Sequence, residues 1–558
     1  MFRHCDDMLA GLAAGAGRFA GVDAARRADL ARRTALAVAA VADRWVDTAV
    51  GIKSSGRPAA AGVRAEETLT GPVASLRLLL VTARCLREIA AGGTPRPAAA
   101  PRLVHHAGGD AAVVAVDVVP EAWIADRVMF AGHSATVRCG VAGDLAAFRR
   151  AWLEECHERP RSGGVAAILG AGNVTGLAVA DAVSQIFEHG RAALLKLHPL
   201  HEPLLPVLRD ALAPLAEAGM LAVVAGGPEV AGEAISSPAV DHVHLTGGRG
   251  AFDAIVWGPD GRRDGAAPRL EKPITCELGG VTPWFVVPGR YSDAQLRYQA
   301  ELLAGSIVNN TSFNCIATKC VVTCRAWEQR SAFLELVSRR LASWPARPGW
   351  YPGAAAAWEL VTQARPPSDG TLPWVLRTGI DPGREPRWLE KEWFVPVAVE
   401  TPLDSNDIEA FCSRAASLSR ALPGTLACSV SIPDSLPPHD RQRVDLLVEH
   451  LEYGVVAIDT WAALAYAFAS VPWGGFPGGT LADPRSGIGF VHDPLCLPLV
   501  RNSIVRGPAR AAQVPPWLPW NRHGAALARG VVDVYAAIAR GGSGLWPLTT
   551  MLPRVLMT

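Results

Sequence analysis

The chain has 558 residues, of which 49% are hydrophobic and 19% are charged. This length exceeds one ordinary hydrophobic core and predicts two to four globular domains. The formal net charge of +1 offers no basic surface for nucleic acid, so we expect no nucleic-acid partner. No uncharged apolar run reaches the roughly 18 residues of a spanning helix. We therefore expect no membrane partner and a cytoplasmic location.

Eleven cysteines are spread from Cys5 to Cys496, and no two of them form a CxxC pair. This spacing argues against zinc-ribbon and thioredoxin-type sites, and we predict no metal site. An odd, unclustered count suits a reducing compartment. The first residues combine one arginine, two aspartates and a short apolar stretch, which makes a poor signal peptide.

Lysine is rare, since only five of the 54 basic residues are lysine. In such a chain each lysine is a candidate for a position that needs a compact ammonium group, although chance in an arginine-rich composition is the alternative. The lysines are Lys53, Lys196, Lys272, Lys319 and Lys391.

The N-terminal part of the chain is predicted to be helical. Residues 23–50 and 66–91 repeat apolar residues at three- and four-residue spacing, which is typical of amphipathic helices. The Pro- and Ala-rich stretch 92–101 ends the second helix.

The next segment is rich in β-forming residues. Strands are predicted in 111–119 and 127–141, followed by a charged helix at 143–158 and a loop at 159–164.

Short apolar runs then alternate with helical segments, a pattern that indicates βαβ units and a parallel sheet. A second α/β stretch covers 273–475, and the Pro-, Trp- and Gly-rich end of the chain contains one helical pattern at 523–540. The runs of the first α/β stretch lie at 165–169, 192–197, 221–226 and 242–248, with helices between them that include 202–218.

A glycine loop, Gly170-Ala-Gly172-Asn-Val-Thr-Gly176, follows the first of these runs and opens a helix. This is the context of a dinucleotide-binding fingerprint. A conventional site also has an acidic residue about 20 positions later, whereas the next run here ends in Lys196 and His198. The spacing GxGxxxG is also looser than GxGxxG. A plain tight turn is therefore the alternative explanation.

Two further stretches carry the most specific signal. Glu277 precedes Leu-Gly-Gly, and Cys315 lies 38 residues later in Asn-Cys-Ile-Ala. Both resemble, in order and separation, the two signatures of the aldehyde dehydrogenase superfamily. The resemblance covers roughly residues 25–495. Further segments follow in family order: GAGNVTG, LLKLHP, HVHLTGG, LEKEWFVPVAV, and PWGGF with SGIG.

The resemblance implies an α/β fold with a Rossmann-like parallel-sheet cofactor domain, a parallel-sheet catalytic domain and a small β-rich oligomerisation element. We assign 1–110 and 160–272 to the cofactor domain, 111–142 to the oligomerisation element and 273–475 to the catalytic domain. Residues 476–558 would return to the cofactor domain and end in a tail. We expect a homodimer or homotetramer, in which the tail is an oligomer arm, a lid over a substrate channel or an interfacial membrane helix.

The implied activity is NAD(P)-dependent oxidation of an aldehyde to a carboxylic acid. Cys315 would attack the aldehyde carbon, and the resulting hemithioacetal would expel hydride and leave a thioester. The side-chain amide of Asn173 and the Cys315 N–H would hold the oxyanion. Glu277 would activate the water that hydrolyses the thioester. Cys276, Cys320 and Cys324 are read as small buried hydrophobes.

The resemblance also implies which residues bind the cofactor. NAD-preferring family members often carry a glutamate three residues after the lysine, where this chain has Pro199, so NADP is permitted and His198 is a candidate phosphate partner. The predicted cofactor contacts are Lys196, His198, Thr246, Gly247, Gly248, Leu278, Glu392 and Phe394.

Several positions depart from the family pattern. Ser312 and Phe313 replace a Gly-Gln pair before the cysteine, Val395 replaces a glycine, and Gly172 precedes the oxyanion asparagine in place of tryptophan. Three alternatives stay open. The first is a CoA-acylating dehydrogenase or acyl-CoA reductase, although such enzymes commonly lack the glutamate base. The others are a catalytically weak scaffolding homologue and a conventional Rossmann reductase built on the glycine loop.

Overall fold

The computed structural model describes residues 2–105, 112–140, 144–158, 163–262 and 267–557. Residues 111 and 141–142 of the predicted oligomerisation element lie outside these ranges, as does most of the loop predicted at 159–164.

The helices of the described residues occupy both ends of the chain and both faces of two sheets. Short turns of other helical types also occur: a π-helical turn at Leu69–Val73 and 3₁₀ turns at Pro199–Leu204, Asn309–Ser312 and Pro386–Trp388. The α-helices are α1 (Phe2–Ala20), α2 (Ala24–Ser54), α3 (Val63–Thr68), α4 (Ala74–Ala90), α5 (Ile124–Met129), α6 (Leu145–Glu158), α7 (Leu177–Phe187), α8 (Leu205–Ala211), α9 (Ala213–Glu217), α10 (Pro228–Ser236), α11 (Arg249–Val256), α12 (Asp293–Val308), α13 (Arg330–Ser343), α14 (Ala354–Thr362), α15 (Ile408–Ala421), α16 (Pro438–His450), α17 (Ala463–Phe468), α18 (Gly524–Ala539) and α19 (Leu545–Leu556).

The strands form one six-stranded sheet, one ten-stranded sheet and a two-stranded ribbon. They are β1 (Arg102–His105), β2 (Ala112–Val119), β3 (Ser134–Cys139), β4 (Val165–Leu169), β5 (Ala192–Lys196), β6 (Leu221–Val224), β7 (His242–Gly247), β8 (Ile274–Leu278), β9 (Thr282–Val286), β10 (Thr318–Cys324), β11 (Arg347–Pro348), β12 (Thr371–Leu372), β13 (Val375–Arg377), β14 (Val397–Leu403), β15 (Ala427–Ser431), β16 (Val455–Ile458), β17 (Gly487–Ile488) and β18 (Val500–Arg506).

The six-stranded sheet has the order β17-β8-β7-β4-β5-β6. Strands β4 to β8 are parallel, and the short β17 closes one edge in antiparallel pairing. Every residue of β4 and β5 is buried, because crossover helices cover both faces of such a sheet. The predicted βαβ units therefore exist, and they form the first of two parallel sheets.

The ten-stranded sheet has the order β1-β2-β3-β18-β16-β15-β9-β10-β14-β13. The part from β18 to β13 is parallel. The strands β1, β2 and β3 add to it in antiparallel pairing through β18. The β-rich segment predicted near 111–142 thus continues the sheet that contains the 273–475 strands, while its role in oligomerisation stays a prediction.

The N-terminal helices pack as a layer beside the six-stranded sheet. Helix α2 begins at Asp23, whose carboxylate accepts a hydrogen bond from the Arg26 N–H at 2.8 Å, as a good N-cap does. The stretch Val63–Ala90 is long and apolar enough by composition to cross a membrane, but 89% of its most apolar window is buried inside the protein. Core helices of globular domains share this property.

Two local predictions need correction, and one helix was not predicted. The predicted strand 127–141 begins only at Ser134, because the preceding residues form α5, where Asp126 is buried in an ion pair with Arg77 of α4. The predicted helix 202–218 is divided into a 3₁₀ turn and two short helices, and each of these three segments has a proline in its first turn. Proline has no backbone N–H and so interrupts a continuous helix. Helix α1, which no pattern predicted, packs against β4, β5 and β6.

Candidate active site

The first sheet contains a topological switch point. Strands β5 and β6 lie on one side of β4, and β7 and β8 lie on the other. Open parallel sheets bind ligands in the crevice outside the carboxyl ends of the strands at such a reversal. The loop with Asn173 follows β4, the turn 246–248 ends β7, Lys196 ends β5 and Glu277 lies near the end of β8. Four predicted parts of the site therefore meet at one edge.

Cys315 lies in the loop between the turn Asn309–Ser312 and β10. Among the cysteines whose side chains are described, it alone is partly exposed, and the others are buried. Its carbonyl accepts a hydrogen bond from Thr282 Oγ1 at 3.0 Å, and Trp461 Nε1 donates to the next carbonyl, that of Ile316, at 2.9 Å. The loop is thus anchored to β9 on one side and to the α17 region on the other.

Glu277 faces Cys315 and is 3% exposed. Burial raises the pKa of Glu277 to about 7. The hydrogen bond with the Cys315 thiol and the neighbouring His244 imidazole oppose this rise, whereas the Asp181 carboxylate adds to it. Burial also raises the pKa of the Cys315 thiol well above its usual value, and the carboxylates of Glu277 and Glu392 raise it further. Near neutral pH a smaller fraction of this thiol is therefore ionised than of a free cysteine.

A left-handed turn precedes the nucleophile. Asn310, Thr311 and Ser312 have φ angles of 53°, 55° and 65°, and left-handed backbone costs L-residues about 1–2 kcal/mol each. Strain of this kind persists only where surrounding contacts hold it. The departure from the family's glycine at Ser312 lies at the residue with the largest of these φ values.

Buried charges hold this turn. Lys53 Nζ donates to Asn310 Oδ1 at 2.7 Å and also forms a buried ion pair with Glu67. Glu66, paired with Arg347, accepts a hydrogen bond from the Asn310 N–H at 3.2 Å. Lys53 is one of the five lysines, and its place beneath the nucleophile loop supports a need for a compact ammonium there.

Asn173 lies against the same loop. Its side-chain nitrogen donates to the Phe313 carbonyl at 3.1 Å, and its own carbonyl accepts from Asn310 Nδ2 at 2.9 Å. A carboxamide has two N–H donors, so engaging Phe313 uses one of them. The structure thus brings Asn173 to the nucleophile loop, and its oxyanion role stays a prediction.

Lys319 and Glu392 also lie near the nucleophile loop. Lys319 Nζ donates to Ser312 Oγ at 2.8 Å and to the Val395 carbonyl at 2.8 Å. Burial lowers the pKa of Lys319, and burial raises the pKa of Glu392, while the proximity of each charge to the other opposes both shifts. Glu392 Oε1 is buried and has no hydrogen-bond partner among the described residues. Phe394 has a φ of 51° and packs on Phe313, with ring centroids 5.9 Å apart.

Lys196 and His198 are the contacts predicted on the adenosine side of the cofactor, and their surroundings differ. Lys196 ends β5, and burial lowers its pKa while the Glu229 carboxylate opposes the shift. His198 fills the space above Gly172, where a β-carbon would come 2.3 Å from its Nδ1. That Nδ1 accepts a hydrogen bond from the Leu200 N–H at 3.2 Å. Burial and Lys196 lower the pKa of His198, and a neutral, engaged imidazole does not favour its predicted phosphate contact.

The turn after β7 is open only at its end. Thr246 is buried, whereas Gly248 is exposed, and nothing lies within 4 Å of a β-carbon built there. Gly247 lies between Thr246 and Gly248. Gly248 is the N-cap of α11, where backbone N–H groups are available to an anion. Leu278 is 1% exposed and packs in the core, with its N–H bonded to the Ser486 carbonyl at 2.9 Å. Neither its side chain nor its N–H is therefore free to act as the predicted cofactor contact.

Sequence reasoning missed two titratable residues beside Glu277. Asp181 on α7 and His244 on β7 are both buried, and His244 Nε2 lies 3.3 Å from Asp181 Oδ1. One signal was available: His242, His244 and Thr246 alternate with apolar residues, whereas the neighbouring strand Val165–Leu169 is a continuous apolar run. Lys319 had been singled out only as one of five lysines.

Residues 153–352 match the sequence model of the aldehyde dehydrogenase family. The fold is similar to that of glyceraldehyde-3-phosphate dehydrogenase from Methanocaldococcus jannaschii, with a TM-score of 0.59 and 13% identity over 91% of this chain and 95% of that one. NAD-dependent aldehyde dehydrogenase from Sinorhizobium meliloti has a TM-score of 0.57 and 15% identity over 92% and 88% of the two chains. An NADP-dependent enzyme from E. coli has a TM-score of 0.58 and 15% identity over 90% of each chain. No curated protein sequence matches the chain.

Residues 153–352 are thus similar in sequence to the aldehyde dehydrogenase family, and the chain shares the fold of these structural relatives. This confirms the predicted recognition and fold class, including both parallel sheets. At identities of 13% and 15% the structural relatives show a shared fold. Cys315 and Glu277 lie together at the crevice, and their catalytic roles stay predictions.

Proposed function

We propose that the chain oxidises an aldehyde to a carboxylic acid, with NAD or NADP as hydride acceptor and Cys315 as covalent nucleophile. The observation that carries this proposal is the contact between the Cys315 thiol and the buried Glu277 carboxyl at the switch-point crevice. A buried carboxyl with a pKa of about 7 is suited to take and return protons near neutral pH.

In the first step the Cys315 thiol releases its proton to solvent, and the Cys315 sulfur forms a bond to the aldehyde carbon. The aldehyde oxygen becomes an oxyanion, for which Asn173 Nδ2 and the Cys315 N–H are the candidate donors; losing one such donor typically lowers the rate by about 10²–10³. A bound nicotinamide would accept the hydride and so convert the hemithioacetal into a thioester.

In the second step water attacks the thioester. Glu277 accepts a proton from the water while the water oxygen forms a bond to the acyl carbon. Collapse of the tetrahedral adduct releases the acid and the Cys315 thiolate, and the thiolate takes the proton back from Glu277. Acyl transfer to CoA would need no such base, so the Glu277 carboxyl supports water as the acceptor. The CoA-linked reaction becomes an outcome of the assay.

The residues around the crevice fit a nicotinamide dinucleotide. Glu392 has a buried oxygen without a hydrogen-bond partner among the described residues, as expected if it binds ribose hydroxyls. Gly248 leaves the N-terminus of α11 open for a phosphate, and Lys196 would bind the adenosine ribose or its 2′-phosphate. The structural relatives include an NAD-dependent and an NADP-dependent enzyme, which supports either cofactor. The domain boundaries, a homo-oligomer and a cytoplasmic location stay predictions.

The test is an absorbance assay of the purified chain with aldehydes of increasing chain length, with each cofactor, and with and without CoA. We expect reduced cofactor and free acid without CoA, no turnover by Cys315→Ala, and normal turnover by Cys412→Ala, a buried cysteine on α15. An absolute requirement for CoA would replace hydrolysis with acyl transfer. Absence of turnover with every aldehyde would overturn the proposal.

A further inference from the structure

Two short helices at the surface carry most of the exposed apolar side chains. Among the residues whose exposure the structure describes, eleven large apolar side chains are exposed, and seven of them lie on α5, on α19 or directly after α19. The two helices are in contact with each other. Single exposed apolar residues are common, whereas a concentrated group marks a surface that binds a protein or a membrane. We call this group the apolar patch, and its members are Ile124, Val128, Leu545, Trp546, Leu552, Leu556 and Met557.

One side of α19 packs inside the protein. Met551 is buried and fills the space above Gly530 of α18, where a β-carbon would come 2.7 Å from the Met551 Cγ. Leu545, Leu552 and Leu556 are exposed, and their separations of seven and four residues place them on one face of the helix. The helix therefore has a second apolar face, which points away from α18 and into solvent.

Contacts inside the protein also hold α5 in place. Asp126 is buried in an ion pair with an arginine of α4. Trp123, which precedes the helix, packs on Tyr535 of α18 with ring centroids 6.4 Å apart. Ile124 and Val128 are exposed, and residues four apart are neighbours on a helix surface. The apolar patch is thus presented by two helices that are anchored to the core.

The exposed side of α19 has few free hydrogen-bond donors. Thr549 Oγ1 donates to the Trp546 carbonyl at 2.8 Å, and Thr550 Oγ1 donates to the Pro547 carbonyl at 2.7 Å. Pro547 and Pro553 have no backbone N–H. Unpaired polar groups are costly in lipid, so this pairing suits a helix face that enters a bilayer surface. Trp546 is 80% exposed, and indole rings favour the boundary between water and hydrocarbon.

The exposed charges beside the apolar patch have one sign. Asp126 is the one acidic residue in α5, in α19 and in the turn between α18 and α19, and it is buried. Asp533 on the neighbouring α18 is paired with Arg529 at 2.6 Å. Basic residues beside an apolar helix face are attracted to the anionic headgroups of a membrane. The exposed charged residues of these two helices and of the turn are Arg127, Arg540 and Arg554.

A second copy of the chain fits the apolar patch less well than a lipid surface does. In a two-fold pairing the same patch would face itself, so the arginines of one copy would meet those of the other, which is unfavourable. The apolar patch has seven residues, whereas a stable protein interface uses about 20–30 residues on each side. A lipid surface needs neither that size nor a matching pattern of side chains.

We propose that the apolar patch binds the surface of an anionic phospholipid bilayer, with α19 in the plane of the interface and the arginines toward the headgroups. This inference is independent of the proposed catalytic function. The expectation of no membrane partner rested on the lack of a spanning helix, whereas an interfacial helix needs only one apolar face. The helix predicted at 523–540 is α18, which packs against α2, α3 and α4, so the interfacial helix of the tail is α19.

The experiment measures co-sedimentation of the full chain with vesicles. One set of vesicles contains phosphatidylcholine alone, and the other contains equal parts of phosphatidylcholine and phosphatidylglycerol. Leu556→Glu places a carboxylate in the apolar patch, and Leu556→Met keeps the position apolar. Leu360→Glu is the matched control, because Leu360 is an exposed leucine on α14, outside the patch. Thermal melting followed by circular dichroism checks that each variant is folded, as expected for substitutions at exposed positions.

We expect the wild type to bind the anionic vesicles about tenfold or more tightly than the neutral ones, because each basic residue near an anionic surface contributes about fivefold. Leu556→Glu should weaken binding about tenfold or more, since the side chain no longer adds apolar area to the contact. Arg554→Gln should weaken binding to the anionic vesicles about fivefold. Leu556→Met and Leu360→Glu should bind like the wild type.

Several results would overturn the proposal. These are no binding to either set of vesicles, equal binding to both sets, and equal loss of binding by Leu556→Glu and Leu360→Glu. Light scattering after size exclusion gives the mass of each variant without vesicles. If Leu556→Glu converts an oligomer into a smaller species, the apolar patch is an interface between copies of the chain, and the bilayer is not its partner.

Discussion

The Glu392 carboxylate lies directly against the backbone of Gly279: a β-carbon on Gly279 would come 1.9 Å from Glu392 Oε2. This contact links the Leu-Gly-Gly signature on the first sheet to the segment that precedes β14. Gly279 is therefore a glycine because a carboxylate occupies the place of a side chain. The neighbouring Gly280 differs, since its β-carbon would meet backbone, the Pro423 carbonyl at 2.7 Å.

Gly279→Ala should therefore weaken cofactor binding without unfolding the protein. The clash involves the end of a flexible side chain, so Glu392 would move away from the ribose position. A hydrogen bond to a charged group contributes about 1.5–3 kcal/mol, so we expect cofactor affinity to fall about tenfold or more, as in Glu392→Gln. Titration of protein fluorescence with each cofactor measures this.

Gly280→Ala provides the contrast for this prediction. Its clash with backbone should lower the melting temperature, whereas Gly279→Ala should melt like the wild type. If Gly279→Ala binds cofactor normally while Glu392→Gln does not, the displacement argument is wrong.

The hydrolytic step should depend on the ionisation of Glu277. Because burial raises the pKa of Glu277 to about 7, the carboxylate that accepts the water proton is depleted below this pH and complete above it. The rate of acyl-enzyme decay should therefore rise with pH and level off above about 7, which stopped-flow and quenched-flow measurements can follow.

Glu277→Gln should abolish this pH dependence and trap the thioester after one round of cofactor reduction. Glu271→Gln is the matched control, because Glu271 is exposed and precedes the same strand. A Glu277→Gln variant that releases acid at the wild-type rate would remove Glu277 from the mechanism.

Cys315 should be alkylated slowly at neutral pH and faster as the pH rises. Burial and the carboxylates of Glu277 and Glu392 hold the pKa of its thiol well above the usual value, and only the thiolate reacts. Removing one of those charges in Glu277→Gln should lower this pKa and speed labelling at a given pH. Mass spectrometry after iodoacetamide treatment identifies the labelled cysteine.

The buried Cys428 is the internal reference for this experiment, because burial raises the pKa of its thiol well above the usual value. If Cys428 labels as fast as Cys315 in the folded protein, the partial exposure of Cys315 has no chemical consequence.

Much of the fold followed from apolar periodicity. Strands such as Val165–Leu169 and Ala192–Lys196 are continuous apolar runs because both faces of their sheet are covered, so composition alone identifies them. Helix α5 did not follow, because its stability depends on the buried pair of Arg77 and Asp126, which are 49 residues apart. A window of local sequence contains only one partner of such a pair.

Whether a site residue could be predicted also depends on how close its partners are in the sequence. Cys315 and Glu277 were predictable because each lies in a short signature whose residues are contiguous. Lys53 holds Asn310 across 257 residues, and Asp181 meets His244 only after α7 packs onto the sheet. Such contacts are set by tertiary packing, so residue type and spacing could not have identified them.

Ser312 offers a direct measure of the strain before the nucleophile. Its φ of 65° suits glycine, while its Oγ accepts a hydrogen bond from Lys319 at 2.8 Å. Ser312→Ala and Ser312→Gly both lose that bond, but only glycine relieves the left-handed backbone. This conformation costs an L-residue about 1–2 kcal/mol, and glycine loses about 0.4–1 kcal/mol more entropy on folding. We therefore expect Ser312→Gly to be more stable than Ser312→Ala by up to about 1.6 kcal/mol.

Urea unfolding of the two variants checks this difference, and the wild type calibrates the lost hydrogen bond. Both variants should be less stable than the wild type if the Lys319 bond outweighs the strain, because hydrogen bonds to charged groups contribute about 1.5–3 kcal/mol. An alanine variant as stable as the glycine variant would show that the turn is not strained at Ser312. In that case Ser312 would replace the family's glycine without a conformational cost, and the charges around Lys53 would not be needed to hold this residue.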